Sequence, residues 1–321
     1  MGIKNLNRFL RENCTKKSIN KVHLKQFANK IIVIDTSIYI YRFLSDGALL
    51  ENMSLLISIF KTYKITPIFV FDGKPPPEKK QLLIQRLMEK KEAEEKFLNI
   101  QSTIESVNED EKTALLMEMD KLKRQFIRVT EDDIRKTKDL MDLHKITYFE
   151  SLGEADELCA CLTKSRKAWG CLSDDMDMFL YGCSYVLRNI SLVHHTVLLY
   201  NTRKILKELE MTENEFCQIM VLSGTDYNIH SDTCLSETIK WFHEFKKYCF
   251  HKKFTMDFYE WLYKYTKYIR DYDNLLKTYE MFQLTNNKIC NQLENIVIDK
   301  NNDVKQCQFE QGKIISVIQY V

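Results

Sequence analysis

The sequence predicts an α/β fold: a mainly parallel, twisted sheet flanked by helices, interrupted by a long helical hairpin and followed by a helical C-terminal region. Three observations carry that expectation. "IIVID" at 31–35 and "PIFVFDG" at 67–73 are short β-branched or aromatic runs that run into an aspartate, and "KITYFESLG" at 145–153 and "AWGCLSDDMD" at 168–177 repeat the strand-then-acid form. Such runs, without polar alternation, suit strands buried on both faces, as parallel strands are. All four prolines fall within residues 67–77, which leaves the long charged segment after them free of helix breakers.

The elements follow in order. Pro67 opens the second strand, and Pro75, Pro76 and Pro77 stop the chain from folding straight back after Asp72. Residues 77–128 are charged and helix-favouring, and predict two antiparallel helices turning near "NEDE" at 108–111. Read locally, that segment is a solvated coiled-coil hairpin. Thr130 and Asp133 frame the start of the next helix, and "SLGEADELCA" at 151–160 starts another, with Leu158 and Leu162 facing inward. Thr212 and Glu215 form a capping box before "FCQIMVLSG", which Gly224 ends, exposing Asp226 in "TDY". From 226 to about 285 the pattern is helical and rich in aromatic residues; 286–321 alternates around Asn-Asn-Asp and reads as a hairpin or tail. The expected organisation is a core over 1–225 that includes the 77–128 hairpin, a helical region over 226–285, and the terminal segment.

At 321 residues, 45% hydrophobic and 29% charged, the chain has the composition of a globular protein with a substantial core. No run of about 18 apolar residues occurs, so neither membrane spanning nor secretion is expected, and the protein is expected to be intracellular. The ten cysteines show no paired Cys-x-x-Cys spacing and read as reduced thiols; His194-His195 has no ligand-spaced partners that would make a zinc site. A net charge of +2 neither excludes nor requires nucleic acid.

The carboxylates at the element ends carry the chemistry. Alone, the acids of "GEADE" are an ordinary acidic first turn of a helix. Taken with the other ends they form a set: Asp35, Asp72, Glu154, Asp156, Asp175, Asp177 and Asp226. Open α/β sheets place ligands at the carboxyl ends of their strands. Seven carboxylates meeting there would repel one another unless cations compensated them. Mg²⁺ suits an all-oxygen set, and two such ions about 4 Å apart activate a water and stabilise the leaving oxygen of a phosphodiester.

"MGIKNL", "IDTSIYIYRFL", "FVFDGKPP", "GEADE", "SDDMD" and "GTDY", in that order over residues 1 to about 230, resemble the flap endonuclease family of XPG-type, structure-specific 5′ nucleases. The resemblance implies a PIN-like 5′-nuclease core and hydrolysis of DNA near a 5′ single-strand/duplex junction. It assigns the seven acids to two Mg²⁺ ions, with Mn²⁺ able to substitute; Asp156 stands where the family has a longer glutamate. It makes the 77–128 hairpin the helical arch, with Lys79 and Arg86 near the scissile phosphate, and leaves Lys80, Lys90 and Lys91 as solvated charges. Tyr41 matches an aromatic that stacks on a base, Gly2 a small residue close to the DNA, and Tyr39 is core. Glu157 stays a solvated first-turn acid.

The resemblance stops after "GTDY". The family's Gly-x-Gly-Pro turn, which binds duplex phosphate and a potassium ion, is replaced by "NIHSDTCLSETIKWF" with neither glycine nor proline, which speaks against a K⁺ site. Lys240, Lys246, Lys247, Lys252 and Lys253 are candidate replacement contacts. "QGKIISVI" from Gln311 lacks the paired aromatics of a sliding-clamp motif, so a clamp partner is not expected. A monomer acting on branched DNA is. The rivals are a related nuclease for RNA or four-way junctions and a non-catalytic DNA-binding scaffold.

Overall fold

The computed structural model describes residues 3, 5–104, 109–228, 233–253, 255–284, 293, 296–298, 304–310 and 313–316. The chain opens with α1 (Leu6–Asn13), β1 (Ile19–His23), β2 (Ile31–Asp35), α2 (Thr36–Ser45), α3 (Leu49–Thr62) and β3 (Thr66–Phe71). The hairpin helices α4 (Lys80–Thr103) and α5 (Glu109–Gln125) come next, then α6 (Glu131–Leu143), β4 (Tyr148–Glu150), α7 (Ala155–Lys164) and β5 (Gly170–Leu172). A β-hairpin of β6 (Tyr185–Ser191) and β7 (Thr196–Asn201) leads to α8 (Thr202–Glu208) and α9 (Glu213–Leu222). The C-terminal region holds α10 (Leu235–Lys252), α11 (Phe258–Tyr265) and α12 (Tyr272–Met281), then β8 (Ile296–Ile298), β9 (Val304–Glu310) and β10 (Lys313–Ser316).

The main sheet has seven strands in the order β1-β7-β6-β5-β2-β3-β4. From β6 to β4 every pairing is parallel, while β7 and then the edge strand β1 add on antiparallel beside β6. The four strand-then-acid units are therefore neighbours: β5, β2, β3 and β4. The chain leaves β2 towards β3 on one side and returns to β5 on the other, so a topological switch point lies at the carboxyl end of β2, where α/β folds open a crevice.

Alternate residues of β2 feed two cores. Ile31 and Val33 pack with α1, α7, α8, α9 and the C-terminal helices, whereas Ile32 and Ile34 pack with α2, α3 and α6. Full burial of each such side chain contributes about 1.5–3 kcal/mol, which fixes the strands from both faces. Capping boxes are present at both expected sites, Thr130 with Asp133 and Thr212 with Glu215. Gly224, at φ +101°, turns the chain after α9 into the Asp226 segment. The hairpin is antiparallel as expected: Phe97 meets Phe126 edge-on at 5.4 Å and Glu94 pairs with Arg128.

Cys14, Cys159, Cys171, Cys183, Cys217, Cys234 and Cys249 are free thiols, but Cys161 is disulfide-bonded, against the expectation of reduced thiols throughout. His195 lies in the β6–β7 turn and shares a 2.8 Å hydrogen bond with the Tyr63 hydroxyl, a structural contact. Among the described residues no helix is long and apolar enough to cross a membrane. Gly2 and Gln311 lie outside the described residues, as do 229–232 of the "NIHSDTCLSETIKWF" segment that stands in place of the Gly-x-Gly-Pro turn.

The β3 and β4 ends are locked together at Gly73. Its N–H donates to the Gly153 carbonyl at 2.7 Å, and a β-carbon on it would stand 2.0 Å from the Ser151 carbonyl oxygen. Gly73→Ala is therefore expected to lower unfolding stability by about 1–3 kcal/mol, the usual cost of overpacking, as measured by denaturant unfolding. Unchanged stability would contradict so close an approach.

Candidate active site

Six of the seven predicted acids come from strand ends or the first turn of a helix. Asp35 is the last residue of β2, Asp72 follows β3, Glu154 is the N-cap residue of α7 and Asp156 lies in its first turn; Asp175 and Asp177 follow β5. Asp226 arrives from the turn after α9. Local hydrogen bonds set their positions. The Ser173 hydroxyl donates to Asp35 Oδ2 at 3.0 Å and accepts from the Asp175 N–H at 3.1 Å, and the Asp177 N–H donates to Asp175 Oδ1 at 3.0 Å. Glu154 makes no side-chain cap bond; Asp72 supplies one from the neighbouring strand end, its Oδ1 accepting from the Ala155 N–H at 2.8 Å.

The acids also perturb one another electrostatically. Burial holds Asp35, Asp156 and Asp177 above the usual carboxylate range, and their neighbours push the same way. Asp35 is raised further by Asp72 and Asp175; Asp156 by Glu154, Asp175 and Asp35; Asp177 by Asp175, Asp226 and Glu154. Every predicted acid is thus a party to the repulsion. Asp177 is 1% exposed, and its Oδ1 is enclosed without a hydrogen-bond partner.

Two cations answer this charge. Lys79 ends a short 3₁₀ turn, Pro77–Lys79, and its Nζ lies 2.7 Å from Glu154 Oε1; Arg86, on α4, lies 2.8 Å from Asp226 Oδ2. Burial works against the charge on Lys79, but Asp156, Glu154 and Asp226 outweigh it and hold its pKa above the ordinary value. Lys79 closes the 3₁₀ turn and immediately precedes α4 as its N-cap residue, seven positions before Arg86.

Tyr41 is 43% exposed on α2, with Lys90 Nζ 4.9 Å above its ring. Lys90 is no plain solvated charge: it also donates to the Ile127 carbonyl at 2.9 Å, and burial, then Arg128 and Arg86, lower its pKa. Lys80 and Lys91 are exposed, and Tyr39 is fully buried, as expected. Of the proposed duplex contacts, Lys246 is paired with Glu215 and Lys247 with Glu244. Two site residues escaped the sequence reading. Ser173 bridges Asp35 and Asp175, and Tyr227 donates its hydroxyl to Glu154 Oε2 at 2.6 Å; the signal for either was a place within two positions of a site acid, in "SDDMD" and "GTDY".

A divalent ion fits the chemistry of these residues: the donors are all oxygens, and the orphaned Asp177 Oδ1 is a buried acceptor with nothing to accept from. Among the described residues, however, no three acids are grouped as a ready-made ion site. In this arrangement Lys79 and Arg86 are the counter-charges.

Residues 1–93 match the XPG N-terminal domain and residues 145–226 the XPG I-region. Flap endonuclease 1 of Glycine max is 32% identical over 246 residues, covering 71% of this chain and 62% of that protein, so the chain spans less than two thirds of the relative's length. The fold is similar to the catalytic core of Rad2 in complex with DNA substrate, with TM-score 0.57, 23% identity and coverage of 88% and 84% of the two chains. It is also similar to human GEN1 in complex with Holliday junction DNA, with TM-score 0.60, 17% identity and coverage of 90% and 68%.

A carboxyl whose folded pKa is raised binds its proton more tightly in the native state, so its contribution to stability falls as pH rises. Asp35, Asp156 and Asp177 are all of this kind. In chelator, therefore, the melting temperature should rise as pH is lowered from about 8 to about 5, above the ordinary carboxylate range near 4. Scanning calorimetry in EDTA measures this, and a melting temperature that falls over that interval would contradict the buried cluster.

Proposed function

This chain belongs to the XPG-type flap endonuclease family, and on that premise we propose that it hydrolyses DNA phosphodiesters near 5′ single-strand/duplex junctions. The single observation that carries the reading is the mutual repulsion of the seven acids at the switch point, with three of them buried. A scaffold gains nothing from clustered like charge; a site that binds cations does.

Asp35, Asp72, Glu154, Asp156, Asp175, Asp177 and Asp226 would hold two Mg²⁺ ions, or Mn²⁺ in their place. When bound, such ions supply an activated water and charge neutralisation at the leaving oxygen. The chain's own groups do the rest. Asp35 and Asp175 are held at a set separation through Ser173, so the acids do not have to reorganise during the reaction. Lys79 and Arg86 reach the acids from the arch base and are the cations available to bind the scissile phosphate beside them. Tyr41, exposed next to the arch, offers a ring face on which a base stacks without regard to sequence. Gly2 would lie close to the DNA backbone, where no side chain would crowd it. Residues 77–128 act as the arch and 226–285 as the duplex-binding region.

Cleavage of 5′- and 3′-labelled flap, nicked, gapped, four-way-junction and RNA substrates in Mg²⁺ tests the reading. Incision near the junction of the 5′ flap is expected; binding without cutting on every substrate would favour the scaffold. Asp177→Asn, which keeps the shape and removes one buried charge, should lower the rate roughly 10²–10³-fold and raise the melting temperature of the metal-free protein. A variant that cuts at the native rate would remove Asp177 from the site.

A further inference from the structure

Glu154 is held at both carboxylate oxygens by different elements: Lys79 Nζ lies 2.7 Å from Oε1, and the Tyr227 hydroxyl donates to Oε2 at 2.6 Å. The two partners also touch each other, the Lys79 ammonium standing 5.0 Å from the centroid of the Tyr227 ring. One phenol thus contacts the anion through its hydroxyl and the cation through its face. We propose that Tyr227 is a positioning residue of this site, holding Glu154 and Lys79 in one fixed relation; the proposal rests on the nuclease reading above.

Tyr227 is itself well anchored. Its ring packs edge-on against Phe282 at 5.6 Å, and Phe282 is 2% exposed and in turn packs on Tyr181. Its N–H donates to Thr225 Oγ1 at 3.2 Å, the Thr225 hydroxyl donates to Asn228 Oδ1 at 2.7 Å, and the Asn228 amide donates to the Val221 carbonyl at 2.8 Å, tying the turn to the end of α9. Burial first, then Asp156 and Glu154, raise the pKa of the phenol, so it stays a neutral donor at working pH. When Lys79 turns to a phosphate, Tyr227 is the partner among the described residues that still fixes the Glu154 side chain. Outer hydrogen bonds of this kind orient metal-binding carboxylates.

Tyr227→Phe removes the hydroxyl and keeps the ring. Mn²⁺ affinity of the DNA-free protein, read by electron paramagnetic resonance, should weaken about tenfold, the lower end for loss of an outer hydrogen bond. The single-turnover cleavage rate at fixed Mg²⁺ should fall similarly, with KM for DNA and the melting temperature in chelator unchanged. In a Glu154→Gln background, Tyr227→Phe should cause no further loss of Mn²⁺ affinity. A Kd in Tyr227→Phe within twofold of wild type would overturn the proposal, as would a tenfold loss persisting in the Glu154→Gln background. Failure of the nuclease reading would look different, as wild-type protein that binds Mn²⁺ but cuts no branched substrate, and the Mn²⁺ comparison would still decide the role of Tyr227.

Discussion

The structure is organised around repulsion among carboxylates collected at one end of a parallel sheet. At an effective dielectric near 20, two unit charges about 5 Å apart interact by about 3 kcal/mol. Strand ends free to splay would relieve that energy by separating. The fold denies them the option. Both faces of β2 are packed into apolar cores, and Gly73 ties the end of β3 to the loop after β4. Asp72 closes the same seam by capping α7 from outside that helix.

Cations are the remaining means of relief, and the base of the helical hairpin supplies them. Lys79 and Arg86 each sit on one acid, and Lys90 bridges the hairpin to Tyr41 and the Ile127 carbonyl. The three lie on the side of the hairpin facing the core, which is where a charged, otherwise solvated coiled coil would not need them. In this state the basic residues at the base of the hairpin and the acids at the end of the sheet are each other's counter-ions. Divalent ions and a phosphate would replace that arrangement with one in which both faces have new partners.

Much of this was readable along the chain because it is local. The four strand-then-acid units, the two capping boxes and the hairpin all depend on residues within a few positions of one another. What was hidden joins residues far apart in sequence: Asp72 to the Ala155 N–H, Tyr227 to Glu154, and Lys90 to the Tyr41 ring. Nothing in "TDY" says which way a tyrosine will point, and a lysine in a charged helix looks the same whether it is solvated or folded over an aromatic ring. Strands β1, β6 and β7 were not placed in the sheet from sequence, since they lack the terminal acid that marks β2, β3, β4 and β5.

The central claim is that the acids compensate their mutual repulsion by holding divalent cations at the end of the sheet. Anomalous diffraction from crystals grown with Mn²⁺ measures this most directly. The account requires two anomalous peaks enclosed by Asp35, Asp72, Glu154, Asp156, Asp175, Asp177 and Asp226. Peaks elsewhere on the surface, or none at saturating Mn²⁺, would contradict it.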